Sequence, residues 1–246
     1  MRDDHFPGEM ELARRIQKGL LPKRLPQRPW LHLDAWQETA DATGGDYYDV
    51  MDAPQGSLDL IVGDVSGHGI ASALLMSAVR AYLRALHLGE SNPEKLVERL
   101  NRLVTPDIPD DGFISLALCR IAADGSACYV SAGHLPPLVF RTSRRTFDTL
   151  EETGVVLGVG SGEGHSAHEI APLAPGDLVI LVTDGLYEAA APDGELLGLD
   201  KVREAIRAAA ADGASGVVES LRALAFGHAE SLVLTDDITL LVAEMS

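Results

Sequence analysis

A glycine-rich segment, residues 63–69 (GDVSGHG), constrains the fold of this chain more than any other feature. Residues 58–62 before it form an apolar run that predicts a β-strand, and residues 70–88 after it have the apolar spacing of a long helix. Asp64 is therefore expected where a strand ends and a tight turn begins, and the glycines permit close approach to the backbone. An acidic residue there favours a cation, although a plain turn capped by Asp64 is the alternative. The Gly-Lys-Ser/Thr of a phosphate-binding Walker loop is missing.

Composition excludes several classes of partner. The chain has 246 residues, 46% of them hydrophobic, which is enough for a sizeable core. Its 37 acidic and 20 basic residues give a formal charge of −17, which argues against nucleic acid or an anionic membrane. No signal pattern and no apolar run of the ~20 residues that cross a bilayer occur. Two cysteines, Cys119 and Cys128, do not make a disulfide framework, which favours a reducing compartment. Together these observations predict a soluble, cytoplasmic protein.

The order of predicted elements favours antiparallel sheets covered by pairs of helices. Strands separated by short Gly- and Pro-containing turns predict antiparallel pairing. The two helix pairs are expected at residues 70–88 with 93–103 and at residues 199–211 with 216–226. We expect one domain over residues 30–246, preceded by a helix and a proline-rich linker in residues 1–29.

The N-terminal helix, predicted over residues 9–21, carries a narrow apolar stripe formed by Leu12, Ile16 and Leu20. This stripe suits either packing on the domain or a short seam with a second helix, which would make the protein a homodimer. Three apolar positions over about three turns give only weak association, which suits a regulatory switch.

Acidic residues lie at the ends of several predicted strands. Asp64 and Asp184 each follow an apolar strand, whereas Asp46 and the pair Asp236 and Asp237 each precede one. If these strands are antiparallel neighbours, the carboxylates meet at one edge and repel each other unless cations are present. Oxygen ligands select Mg²⁺, Mn²⁺ or Ca²⁺ over zinc, whose His/Cys spacing is missing. For any single aspartate, capping of a turn is the simpler interpretation.

Several motifs occur in the order and spacing of the SpoIIE-type bacterial serine phosphatases. They are residues 44–49 (GGDYYD), 63–69 (GDVSGHG), 131–137 (SAGHLPP), 183–188 (TDGLYE) and 236–239 (DDIT). The chain therefore resembles, over roughly residues 30–246, this branch of the metal-dependent protein phosphatase 2C superfamily. The resemblance implies an α+β fold, a four-layer αββα sandwich in which a helix pair covers each of two antiparallel sheets.

The resemblance also implies two Mn²⁺ or Mg²⁺ ions, which would activate a water for in-line attack on phosphorus. Asp64 would touch both ions, and no cysteine would be needed as a nucleophile. The ligands that it implies are Asp46, Asp64, the backbone carbonyl of Val65, Asp184, Asp236 and, as the alternative to Asp236, Asp237.

Asp64 and His68 are the candidate catalytic residues, with His68 as the acid that protonates the leaving serine oxygen. A turn histidine bonded to backbone is the favoured alternative for His68, and His134 is interpreted in the same way. The phosphate-binding arginine of the eukaryotic members is missing from residues 38–45. Phosphate would then be held mainly by the metal ions, and small phosphoesters would bind weakly.

The function that the resemblance implies is removal of phosphate from serine on a partner protein. In this subfamily the substrate is usually a phosphorylated STAS-domain antagonist of an anti-sigma factor, in sigma factor regulation of the stress response, and a sensor or response regulator is a further partner. One alternative is a regulatory binding module without turnover, which the complete carboxylate set disfavours. Another is a divalent-ion-dependent nuclease or small-molecule phosphoesterase, and the charge of −17 disfavours nucleic acid.

Overall fold

The computed structural model describes residues 6–159, 164–231 and 234–246. Its helices are α1 (Phe6–Leu20), α2 (Ile70–His87), α3 (Pro93–Val104), the one-turn α4 (Asp184–Tyr187), α5 (Gly198–Ala209) and α6 (Gly213–Ala229). Its strands are β1 (Leu31–Glu38), β2 (Tyr47–Asp52), β3 (Leu58–Val65), β4 (Ile114–Ile121), β5 (Ala127–Ala132), β6 (Leu138–Arg141), β7 (Thr146–Phe147), β8 (His168–Ile170), β9 (Leu178–Val182) and β10 (Ile238–Met245).

Two antiparallel sheets, each covered by a helix pair, form the four layers, so the predicted αββα sandwich is confirmed. One sheet has the strand order β1-β10-β9-β6-β7 and the other has the order β2-β3-β4-β5-β8. Helices α5 and α6 cover the first sheet, and helices α2 and α3 cover the second. Both helix pairs occur where the apolar spacing predicts them.

The apolar runs of the strands follow from this layering. In β3, Leu60 and Val62 belong to the core between the two sheets, whereas Ile61 packs in the core beneath α2 and α3. Successive residues of a strand point to opposite faces, so a strand that is covered on both sides needs apolar residues at almost every position. The sequence pattern of such strands is a run rather than an alternation.

Strand β3 is longer than the sequence predicts, and this moves Asp64. The predicted strand stops at residue 62, whereas β3 extends to Val65 and includes Asp64, opposite Ser115 of β4. The backbone ladder with β4 continues to Val65, because strand pairing does not require an apolar side chain at each position. The turn begins later, and Gly67 and Gly69 take φ values of 88° and 79° there, which favour glycine.

The two cysteines are free and lie on neighbouring strands. Cys119 is opposite Tyr129, and Cys128 is opposite Arg120. Because paired residues share a face and successive residues alternate, the two sulfur atoms point to opposite sides of the sheet.

In the described ranges, no helix is both long enough and apolar enough to cross a membrane.

The N-terminal helix α1 packs against α2 but leaves its apolar stripe largely open. Nε of Arg80 donates to the carbonyl oxygen of Leu20 at 2.6 Å and so caps the end of α1. Leu12 and Ile16 are 45% and 57% exposed, so this part of the stripe does not cover the core of the chain. The boundary between the helical segment and the domain at residue 30 stays a prediction, and residues 1–5 of that segment lie outside the described residues.

A buried arginine joins the edge of the first sheet to the segment before β9. Arg141 is almost fully buried and donates to Asp148 at 2.6 Å and to Asp177 at 2.9 Å. It also donates to the carbonyl oxygens of Ala171 and Pro172. The guanidinium therefore pairs with the buried carboxylate of Asp177, the half-buried carboxylate of Asp148 and two backbone carbonyl groups.

We expect Arg141→Leu to lower the free energy of unfolding by about 3–5 kcal/mol, because it leaves the buried carboxylate of Asp177 without its cation. Urea denaturation followed by circular dichroism measures this change. The control is Lys201→Gln, which removes an exposed pair with Glu195 and should cost under about 1 kcal/mol. Equal costs for the two substitutions would contradict the role given to Arg141.

Candidate metal centre

Two pairs of neighbouring strands bring the predicted aspartates to one edge of the sandwich. In one sheet Tyr47 is opposite Gly63, which sets Asp46 beside Asp64 at the ends of β2 and β3. In the other sheet β9 and β10 are antiparallel, so Asp184, just after β9, lies beside the start of β10, where Asp236 is. Each sheet therefore contributes one pair of carboxylates. The sequence alone did not predict which aspartates belong to which sheet.

The electrostatics of Asp64 show that the two pairs face each other. Burial, and then the negative charges of Asp184 and Asp236, raise the pKa of Asp64 to about 7. Burial, followed by the charge of Asp64, also raises the pKa of Asp46. Among the residues that the structure describes, no lysine or arginine forms an ion pair with these four aspartates. The cluster thus carries negative charge that no lysine or arginine of the described residues balances by an ion pair.

Threonine hydroxyls from the first sheet hold Asp46 of the second. Oγ1 of Thr183 donates to Oδ2 of Asp46 at 2.9 Å, and Oγ1 of Thr239 donates to the same oxygen at 2.6 Å. Nε2 of Gln37 donates to the backbone oxygen of Asp46 at 3.0 Å. These contacts fix the carboxylate and leave Oδ1 without a threonine donor. Sequence reasoning did not single out the two threonines, although both lie inside the motifs that contain Asp184 and Asp236.

Asp236 and Asp237, which the sequence could not separate, have different surroundings. Asp237 is buried, and its Oδ1 and Oδ2 accept from the amides of Ala40 at 2.9 Å and Gly45 at 2.7 Å. A Cβ atom on Gly44 would overlap the Asp237 carboxylate, so the loop of residues 40–45 lies directly against it. Asp236 is exposed and accepts from the amide of Asp237 at 2.8 Å. Asp237 therefore positions the loop, and a ligand role for either residue stays a prediction.

The backbone carbonyl of Val65 lies at the same place. A Cβ atom on Gly45 would overlap this carbonyl oxygen and would lie 3.3 Å from Oδ1 of Asp64. Only glycine lets the loop before β2 approach the end of β3 so closely. The carbonyl and the carboxylates of Asp64 and Asp46 are thus gathered around one short stretch of backbone.

The donor set fits a hard divalent cation. Its atoms are all oxygens, which Mg²⁺ and Mn²⁺ prefer in proteins. Within the described ranges, no three His, Cys, Asp or Glu side chains gather around one ion position. Mg²⁺ in proteins commonly binds one or two carboxylates and keeps several water ligands. Each pair of carboxylates in this cluster supplies that number.

The two motif histidines have different environments. Nδ1 of His68 lies 2.9 Å from Oδ2 of Asp41, and its side chain is 81% exposed. The interpretation of His68 as bonded to backbone is therefore wrong, because a carboxylate is its partner. His134 is buried, with Nδ1 3.0 Å from the carbonyl oxygen of Leu135, and burial lowers its pKa. The favoured structural interpretation of His134 agrees with this contact.

Gln17 of α1 contacts the metal-centre loop, and sequence reasoning missed it. Its Nε2 donates to the carbonyl oxygen of Gly44 at 2.6 Å, and its Oε1 accepts from the amide of Gly44 at 3.1 Å. Gln17 is buried, unlike the polar residues beside it on α1. No pattern in the sequence distinguishes this glutamine, since its partner is backbone 27 residues away.

Comparison with known sequences identifies similar proteins. The sequence model of the SpoIIE family, Stage II sporulation protein E, matches residues 54–246. The chain is 29% identical over 239 residues to phosphoserine phosphatase RsbU of Bacillus subtilis (strain 168), which covers 96% of this chain and 69% of RsbU. It is 26% identical over 262 residues to protein IcfG of Synechocystis sp. (strain ATCC 27184 / PCC 6803 / Kazusa), which covers 95% of this chain but only 41% of IcfG.

Solved structures with the same fold include phosphatase domains. The SiaA-PP2C domain of Pseudomonas aeruginosa has a TM-score of 0.83 at 20% identity, covering 98% of this chain and 97% of that domain. The RsbU and RsbW domains of Rv1364c from Mycobacterium tuberculosis have a TM-score of 0.76 at 27% identity, covering 89% of this chain and 61% of theirs. The catalytic domain of serine threonine protein phosphatase PstP, in complex with 2 manganese ions, has a TM-score of 0.64 at 16% identity, covering 87% of this chain and 98% of that domain.

We expect Asp237→Asn to lower the free energy of unfolding by about 1–3 kcal/mol in the presence of a chelator. Its side-chain amide would face a backbone donor, so the amide of Ala40 or Gly45 would lose its acceptor. The matched control, Asp236→Asn, keeps one acceptor oxygen and removes a repelling charge, so its stability should stay within about 0.5 kcal/mol or rise. Chemical denaturation distinguishes them, and equal losses would refute the distinction.

Proposed function

The chain belongs to the SpoIIE family of PP2C-type serine phosphatases, and we propose that it hydrolyses phosphoserine on a partner protein with two divalent metal ions. The observation that carries this proposal is the group of four carboxylates, from two sheets, with no lysine or arginine partner in the described structure. Asp46, Asp64 and the carbonyl of Val65 would hold one ion, and Asp184 and Asp236, from the other sheet, would hold the second.

When bound, Mn²⁺ or Mg²⁺ ions supply an acidified water and neutralise phosphoryl oxygens. The chain's own residues prepare the site for them. Thr183 and Thr239 orient Asp46 through Oδ2, and Asp237 keeps the loop of residues 40–45 against Val65. In the proposed reaction neither cysteine acts as nucleophile. A water oxygen would form the new bond to phosphorus while the bond to the serine oxygen breaks, and the serine oxygen would take up a proton.

His68 is the proposed acid for the leaving serine. Asp41 occupies its Nδ1, so Nε2 is the nitrogen that can give a proton to the departing oxygen. The exposure of His68 suits a group that meets a protein substrate at the surface.

The proposed substrate is a phosphorylated STAS-like regulatory protein. The name of RsbU as a phosphoserine phosphatase and the pairing of RsbU and RsbW domains in Rv1364c support a regulatory protein partner. The direct test is manganese-dependent phosphate release from candidate phosphorylated STAS proteins. Release from small phosphoesters alone, with none from phosphoproteins, would favour the small-molecule phosphoesterase instead.

We expect Asp64→Asn to abolish turnover and the stabilisation by Mn²⁺ while the fold is retained. Binding to the native state at ~100 times Kd adds about 2.7 kcal/mol per site, so the wild-type melting temperature should rise with Mn²⁺ and fall with a chelator. Differential scanning fluorimetry and phosphate release measure the two effects. Near-normal activity of Asp64→Asn at saturating Mn²⁺ would overturn the assignment.

Two controls accompany Asp64→Asn. Asp124→Asn changes the same charge in an exposed turn between β4 and β5 and should leave both effects unchanged. Cys128→Ser should remain active, because water is the proposed nucleophile. Loss of activity in the cysteine variant, with the fold intact, would point to a different mechanism.

We propose that α1 controls this site through Gln17. The glutamine binds both backbone polar groups of Gly44, two residues before Asp46, so the position of α1 affects the loop that holds the carboxylate. The exposed Leu12 and Ile16 give α1 a surface for a second helix, from another copy of the chain or a sensor partner.

We expect Gln17→Ala to weaken Mn²⁺-dependent activity by about tenfold, since two hydrogen bonds of about 0.5–1.5 kcal/mol each are lost. Leu12→Glu with Ile16→Glu should abolish self-association, measured by analytical ultracentrifugation, and change activity. The control, Lys18→Gln, alters an exposed residue on the same helix. If self-association and activity both stay unchanged in the glutamate variant with the fold retained, α1 has no regulatory part.

A further inference from the structure

A basic hollow lies at the outer edge of the first sheet, between the segment leading into β6, strand β7 and helix α5. Its volume is about 470 Å³, and its wall includes Leu135, Pro136, Phe147 and three arginines, Arg145, Arg203 and Arg207. Asp148 and Asp200 also line it, but Asp148 is already paired with the buried Arg141. The hollow is therefore a cationic, partly apolar cavity in a protein whose formal charge is −17.

The three arginines keep unused hydrogen-bonding capacity. The guanidinium groups of Arg203 and Arg207, one turn apart on α5, lie 6.0 and 5.7 Å from the ring centre of Phe147. Arg203 has an exposed carboxylate, Asp200, at 3.8 Å, and its buried Nε makes no hydrogen bond in the described structure. Nη2 of Arg145 donates to the carbonyl oxygen of Arg207 at 2.9 Å. Among the described residues, no carboxylate oxygen lies within 4.0 Å of the guanidinium of Arg145 or Arg207.

This arrangement suits carboxylate or phosphate oxygens. Arginine presents a planar fork of donors that binds such groups through paired hydrogen bonds. Stacking on Phe147 holds two of the forks in place before a ligand arrives, which lowers the entropy lost on binding. The apolar wall at Leu135 and Pro136 can receive a neighbouring apolar group of the same ligand.

The position of the hollow links it to the metal centre. Strand β6 is antiparallel to β9, with Leu138 opposite Ile180. The residues before β6 therefore lie at the same edge at which Asp184 follows β9. His134, next to Leu135, is close enough to Asp184 to feel its charge. The wall of the hollow thus begins at the edge that carries the carboxylates.

We propose that this hollow docks an acidic segment of the protein substrate, with carboxylates on Arg145, Arg203 and Arg207. The inference rests on the proposed function, because the segment belongs to the phosphoserine protein that the metal centre would hydrolyse. An acidic partner is repelled by the overall charge of the chain and attracted at this cationic hollow. Docking there orients the substrate and discriminates against proteins without such a segment.

The first experiment measures binding without catalysis. A fluorescent, unphosphorylated glutamate-rich peptide and its glutamine counterpart are titrated with the full chain, and anisotropy is recorded at low and high salt. We expect the acidic peptide to bind more tightly, and Arg203→Gln with Arg207→Gln to weaken it by about threefold to tenfold at low salt. Equal binding of the two peptides, or no effect of the double substitution, would overturn the proposal.

The chain offers a matched control in the other helix of the same pair. Arg222 of α6 lies 5.7 Å from the ring centre of Trp36 and has an exposed partner, Glu219. Arg222→Gln removes one positive charge, against two in the double variant, and the same kind of contact with an aromatic ring outside the hollow, so it should leave peptide binding unchanged. A loss equal to that of the double variant would mean that overall charge, and not the hollow, attracts the peptide.

A second variant avoids disturbing the stack on Phe147. Arg145 has a φ of 55°, a conformation that asparagine tolerates, so Arg145→Asn should fold and still weaken binding of the acidic peptide. Inorganic phosphate is added as a competitor. If phosphate binds the hollow and the acidic peptide does not, the site holds a small oxyanion, and docking of a protein segment is wrong.

The second experiment connects docking to turnover. Phosphoserine peptides with an acidic or a glutamine extension are hydrolysed with Mn²⁺, and the ratio of their KM values is compared between wild type and the Arg203→Gln, Arg207→Gln variant. We expect the acidic peptide to have the lower KM, the ratio to approach one in the variant, and p-nitrophenyl phosphate hydrolysis to stay unchanged. Equal KM values in wild type would refute docking. Peptide binding without hydrolysis of any substrate would refute the phosphatase proposal alone.

Discussion

Mutual repulsion among clustered carboxylates is the constraint on which the rest of this structure depends. Asp46 and Asp64 come from one sheet, and Asp184 and Asp236 come from the other, so the sandwich must hold two negatively charged edges against each other. The threonine hydroxyls that cross from the first sheet to Asp46, and the amides that bind Asp237, oppose this repulsion locally. A divalent cation would complete the balance, which is why the fold and the metal site are best understood together.

The sequence predicted the layers well because the strands are covered on both faces. Runs such as Leu58 to Val62 and the two helix pairs have patterns that follow directly from burial. The end of β3 was not predictable in this way, because backbone pairing places Asp64 in the strand although its side chain is polar. The two-residue strand β7 is too short for any periodic pattern.

Site residues were predictable where they lie in motifs and unpredictable where they act through the backbone. The aspartates were found by their places at strand ends, but nothing in the sequence separated Asp236 from Asp237, because the difference is which backbone amides each one meets. Gln17 was missed for the same reason, since its partner is the backbone of Gly44. The pairing of His68 with Asp41 depends on a loop conformation that side-chain spacing does not encode.

The contact between Gly44 and Asp237 has an evolutionary consequence. A side chain at position 44 would occupy the space of the Asp237 carboxylate, so position 44 can accept a side chain only if position 237 changes as well. The two sites, 193 positions apart along the chain, are therefore expected to drift as a pair among descendants of this protein. A mutant library that randomises one of these positions should vary the other in the same clones. Otherwise most members will be inactive because the loop is displaced, and not because a catalytic group is lost.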